Sequence, residues 1–105
     1  MKALGFVEVS GVVAAIEALD SMLKTADVEF VTWEKRLGGR LVTIVVTGSI
    51  SAVQAAVESG TATANAITKT VAQAIIANPH EEIIKLIQIS AEKLNLVKSG
   101  EVSES

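Results

Sequence analysis

The hydrophobic positions of this chain switch between two periods, and the switches mark out its elements. Ala3 to Val9 has the length and composition of a strand, with Gly5 leaving room for a neighbour to pack closely on it. From Val12 to Thr25 the apolar residues Val12, Val13, Ile16, Leu19, Met22 and Leu23 recur at helical spacing, while Glu17, Asp20 and Lys24 share the other face. Ser10 stands where the N-cap of that helix is expected. Val28 to Lys35 reads as a second strand, and Leu41 to Thr47, nearly unbroken and β-branched, as a third that is covered on both faces. Gly48 interrupts the pattern, and Ser49 or Ser51 caps a second helix running to about Lys69. Val71 to Ile76 is a fourth strand, stopped by Asn78 and Pro79, because the residue before a proline is pushed out of the helical region. Glu81 to Ile87 opens a third helix; beyond Leu86 the apolar spacing becomes irregular, and Ser99 to Ser105 is a polar, acidic tail.

The order β, α, β, β, α, β followed by a helical segment predicts an α+β fold. It is a ferredoxin-like sandwich, with a four-stranded antiparallel sheet, two main helices on one face and a C-terminal helical segment. Within it, the stretch WEKRLGGRLVTIVV joins the second and third strands through a hairpin. Gly38 and Gly39 supply the positive φ of a tight turn, and Arg36 and Arg40 flank them at a tip too polar to bury.

Composition narrows the functional classes. The chain has 105 residues, enough for one domain, and half of them are hydrophobic while only 3% are aromatic, so the core is built from Val, Ile, Leu and Ala. A net charge of -3 and one Trp with two Phe offer neither the field nor the stacking surface for nucleic acid. Without cysteine there is no disulfide or thiolate metal site, and no apolar run approaches the roughly 20 residues of a membrane helix. The opening residues lack a basic then apolar signal pattern. These features predict a soluble, cytoplasmic protein with no nucleic-acid or membrane partner.

Catalytic chemistry finds little to work with. His80 is the sole histidine, and beside Pro79 and before Glu81 and Glu82 it reads as a helix-start residue. Glu8, inside an apolar strand, either faces solvent on the open side of the sheet or marks a buried or intersubunit ionic contact. The glycine turn lacks the GxxxxGK[ST] spacing of a phosphate loop and lies between strands. Lys24 follows Asp20 by four residues, which gives either an exposed intrahelical pair or a contact between assemblies. The small residues Ala52, Ala55, Ala56, Gly60, Ala62, Ala64 and Ala66 either permit close packing or express the helix propensity of alanine. No cofactor or metal is called for, and the protein is not expected to be an enzyme.

The segment MKALGFVEVSGVVAAIEALDSMLKTADV resembles the opening of bacterial microcompartment shell proteins of the single-domain, hexamer-forming type. The resemblance continues through EKRLGGRLVTIVVTGSISAVQAAVESG to NPH at Asn78 to His80, and covers Lys2 to Ile87. It implies a shell domain at residues 1–87 and a partly disordered C-terminal extension at 88–105. It also implies a cyclic homohexamer around a central pore, tiling edge to edge with itself and other shell proteins into facets that enclose enzymes. By the same resemblance Arg36, Leu37, Gly38, Gly39 and Arg40 line the pore, and Asp20, Lys24, Asn78, Pro79 and His80 lie at the edge between hexamers. The place implied is the microcompartment shell in the bacterial cytoplasm.

This chain departs from the family pattern twice. Its turn is one residue longer than the KIGSG type and carries arginines, so an arginine ring would attract anionic or polar metabolites. Asn78 replaces an arginine common before the proline, which removes a bidentate donor from the edge. A small-molecule-binding regulatory module of the same ferredoxin-like fold is the alternative function, since fold alone does not choose.

Overall fold

Side chains of β1 (Ala3–Ser10) point alternately to the two faces of a sheet and give each face its own core. The computed structural model describes residues 2–35 and 40–99. In chain order it has β1, α1 (Val12–Thr25), β2 (Glu29–Lys35), β3 (Leu41–Gly48), α2 (Ile50–Ile67), β4 (Thr70–Ala77) and α3 (Glu81–Ser99). The four strands form one antiparallel sheet in the order β2-β3-β1-β4. This is the predicted α+β architecture, with β1 and β3 central and β2 and β4 at the edges.

On one face, Ala3, Val7 and Val9 of β1 and Val42, Ile44 and Val46 of β3 are buried with Ala14, Ala15, Ala18 and Met22 of α1 and Val53, Ala56, Val57 and Ala64 of α2. Burying one such side chain contributes on the order of 1.5–3 kcal/mol, so this layer carries most of the stabilisation. Two glycines let the layers close. A Cβ on Gly5 would stand 2.7 Å from Val53 Cγ1 and 2.8 Å from Val57 Cγ2, and one on Gly60 would stand 2.6 Å from Met22 Cγ. Close packing is therefore the role of the inward small residues Ala56, Gly60 and Ala64, whereas Ala55, Ala62 and Ala66 are exposed and reflect propensity. Beside the Gly60 contact, hydroxyls join the two helices. Ser21 Oγ lies 2.6 Å from Ser59 Oγ, Thr63 donates to Ser21 at 2.9 Å, and Thr25 Oγ1 is 2.9 Å from Ser59 Oγ.

The second face is covered by α3. Leu4, Val45 and Ile87 are buried there, with Phe6, Val31, Ile76 and Ile83 packed around them. The helix starts beside the end of β4 and reaches β2, where Ser90 donates to Glu34 and its hydroxyl lies 3.0 Å from Thr32 Oγ1. A register shift between Phe30 and Thr32 in β2 accompanies this docking; Val31 packs in the α3 cluster and Thr32 is buried. The C-terminal segment is thus one continuous helix to Ser99, through the stretch where the apolar spacing is irregular.

Ser10 is not the cap of α1. It completes the alternation of β1, and the N-cap is Gly11 at φ 99, with no side-chain cap bond. The Gly11 N–H donates to the Arg40 carbonyl at 2.7 Å, and the positive φ here is one that a glycine adopts freely. Ser49 does cap α2, accepting the Ala52 N–H at 3.2 Å.

Candidate functional site

The candidate residues divide between the two ends of the sheet. Register alone shows this. At one end Ser10 of β1 faces Leu41 of β3, and Val42 faces Lys35 of β2. The β2–β3 connection therefore leaves the sheet there, beside Gly11. At the other end Ala3 of β1 faces Gly48 of β3 and Ala77 of β4. Eight residues of strand at about 3.4 Å each put the two ends about 25 Å apart.

Of the expected pore residues, the turn end shows Arg40. Arg40 is exposed, and its carbonyl is tied to Gly11. Arg36, Leu37, Gly38 and Gly39 lie outside the described residues. Glu8 and Thr43 face each other on the second face near this end, and the Thr43 hydroxyl donates to Glu8 Oε2 at 3.1 Å. Glu8 is half-buried, between the two readings its position in the sequence allowed.

The opposite end gathers the expected edge residues on two elements. Lys24 Nζ lies 2.9 Å from Asp20 Oδ2 on the last turns of α1, and both side chains are exposed. The hydrogen bond to Asp20, and then the Asp20 charge, raise the Lys24 pKa above that of an ordinary lysine. After β4, Asn78 turns the chain at φ 50, its N–H donating to the Lys2 carbonyl at 2.9 Å. Asparagine tolerates this left-handed conformation better than most residues with a side chain. Pro79 is buried, and His80 caps α3. The His80 carbonyl accepts from the N–H groups of Ile83 and Ile84 at 3.0 and 3.1 Å, and its Nδ1 accepts from the Glu82 N–H at 3.2 Å. Glu81 and Glu82 in the first turn complement the positive end of the helix. This is the helix-start role expected of His80.

Two features had only faint signals in the sequence. Ser21 with Thr25, and Ser59 with Thr63, are spaced by four residues and so share helix faces, a pattern readable in advance had it been sought. The Ser90 bonds to Glu34 and Thr32 span more than fifty residues and leave no local trace. Among the described residues no group of three or more His, Asp or Glu could hold a metal ion, and no helix is long and apolar enough to cross a membrane.

Residues 3–79 match the BMC domain. The bacterial microcompartment shell protein PduA of Citrobacter freundii is 43% identical over 86 residues, covering 82% of this chain and 91% of that protein. The bacterial microcompartment shell protein EutM of Salmonella typhimurium is 41% identical over 90 residues, covering 86% of this chain and 93% of that one. Among solved structures, a microcompartment protein from Desulfitobacterium hafniense superposes with a TM-score of 0.74 at 29% identity, over 86% of this chain. The match spans 48% of that longer chain.

Proposed function

The chain belongs to the BMC-domain family and is a structural shell protein of a bacterial microcompartment, not an enzyme; from that premise we propose that its copies close into a six-membered ring around a pore. It assembles with itself and with other shell proteins. In the proposed ring the turn end points to the axis, where Arg36, Leu37, Gly38, Gly39 and Arg40 line the opening. The opposite end forms the rim, where Asp20, Lys24, Asn78, Pro79 and His80 meet the next ring. Enzymes enclosed by the shell complete the set of partners.

The observation that supports this reading is that β2 and β3 run out at one end of the sheet, beside Arg40, while Asp20, Lys24 and Asn78 to His80 lie at the other. A subunit of a tiled ring needs one end for the axis and another for its neighbours. Cyclic symmetry multiplies each arginine of the turn into six converging charges, which draw small anions such as carboxylates and phosphates and repel cations. At the rim, Asn78 offers an amide where an arginine would offer a bidentate fork, so edge contacts are weaker and rely more on Lys24.

Replacing both Arg36 and Arg40 with serine tests the pore. Flux of a small dicarboxylate through assembled shells falls severalfold if the turn lines it, and unchanged flux refutes the assignment. The solution mass of the purified chain tests the ring: a six-copy particle supports it, and a stable single chain does not.

A further inference from the structure

The helix α3 carries two apolar stripes, and the fold uses one. Ile83, Ile87 and Ser90 face the sheet, whereas Leu86 and Ile89 point away from it and remain 68% and 50% exposed. Large aliphatic side chains at that exposure, one helical turn apart, form an apolar surface with no cover in the single chain. Charges bracket it. Glu82 stands one turn before Leu86, and Lys93 one turn after Ile89, so Glu82, Leu86, Ile89 and Lys93 follow one another along a single helix face.

This order reads as its own complement when reversed. Laid antiparallel about a two-fold axis between positions 87 and 88, Leu86 of one chain meets Ile89 of the other, and Glu82 meets Lys93, each contact occurring twice. Lys85 and Glu92, on the flank of the same face, come opposite each other in nearly the same register. Within its own helix Lys93 has Ile89, Ser90, Leu96 and Val97 at three and four residues' distance, and Glu92 has Gln88, Ile89, Asn95 and Leu96. Neither has an opposite charge at a spacing that would let an intrahelical pair form.

We propose that the outward face of α3 is a pairing surface for a second copy of this chain, joined antiparallel through Leu86 and Ile89 with Glu82 and Lys93 closing the two ends. The contact is isologous, as a two-fold pair requires. It lies on the outward face of α3, a face that none of the residues assigned to the pore or the rim shares, and so adds to ring closure and tiling instead of replacing them. One helix stripe buries much less than the roughly 1,600 Å² of a standard stable interface, so isolated chains pair weakly. A ring presents the stripe six times, and the linked contacts reinforce one another.

The test is a charge swap read by sedimentation over a concentration series, with circular dichroism confirming that each variant is folded. Glu82→Lys alone and Lys93→Glu alone each place like charges opposite at both ends and raise the concentration needed for pairing about tenfold. The double variant restores the opposite-charge contacts and recovers wild-type pairing. Leu86→Ser with Ile89→Ser removes the apolar centre and abolishes pairing at concentrations where the wild type is paired. If rings form, the paired species is a doubled ring; if they do not, it is a dimer, so failure of the ring and failure of the pairing are separately visible. A wild-type chain that never doubles its mass, or a double variant no better than the single ones, overturns the proposal.

Discussion

The Lys24 side chain is exposed, yet its hydrogen bond to Asp20 holds its pKa above the ordinary lysine value. A raised pKa contributes stability that is present below the ordinary value and lost as the pH rises through the folded one. For so exposed a pair that contribution is small, and the useful readout is the pKa itself. Asp20→Asn should lower it towards the ordinary value in an NMR titration of the Lys24 side chain; an unmoved midpoint would mean that the pair is not held in solution. Asn78 makes the second residue-scale case. At φ 50 a β-branched side chain costs about 1–2 kcal/mol, so Asn78→Val should lower the urea midpoint while Asn78→Gly leaves it nearly unchanged. The strand's end was legible from the proline that follows, because Pro79 disfavours the right-handed helical conformation at Asn78. The left-handed turn was not, since three residues of sequence do not reveal that the Lys2 carbonyl waits for the Asn78 N–H.

Elements were easiest to read where one apolar face sets one period. The helix α1 shows this over its whole length, although its cap is Gly11 and not Ser10, because a serine at a strand end looks like a cap. The third helix was readable only in its first half, and its two apolar stripes explain why: one of them faces the sheet, the other faces away, and together they blur the period that identifies a helix. Glycines at the contacts between elements give opposite expectations for what looks like the same substitution. Gly5→Ala drives a methyl into Val53 and Val57, whose β-branched ends have no freedom to retreat, and should cost about 1–3 kcal/mol or more. Gly60→Ala meets the Met22 side chain, which bends, and gains about 1 kcal/mol of helix propensity, so its net cost should be clearly smaller. Denaturant unfolding of the two variants checks the order, and an equal loss would mean that the helix layer is not in tight contact with the sheet at Gly5.

At the scale of the whole molecule the centre of the sheet, β1 and β3, is buried from both sides, and α3 is the thinner cover. Removing Glu81–Ser99 uncovers Leu4 and Val45 fully and Phe6, Val31 and Ile76 in part, a loss of several kcal/mol against a typical total of 5–15. The shortened chain should bind a hydrophobic dye and aggregate, whereas a shortened chain that remains folded and does not aggregate would show that the helix layer alone suffices. The order of elements and the first two helices were legible because the apolar period changes from one to the next; the docking of α3 was not, since neither its apolar contacts nor the Ser90 bond across more than fifty residues to Glu34 leaves a local trace. The separation of the turn from the rim residues has one more consequence. In the proposed ring the strand length is a gauge for the lattice. The strands β1, β3 and β4 are each eight residues long, and inserting a single residue would turn every later side chain to the wrong face, so length can change only in steps of two. Each step adds about 7 Å to a radius and about 14 Å to the distance between ring centres. No edge contact stretches that far, so copies of this chain can share a facet only with shell proteins cut to the same measure.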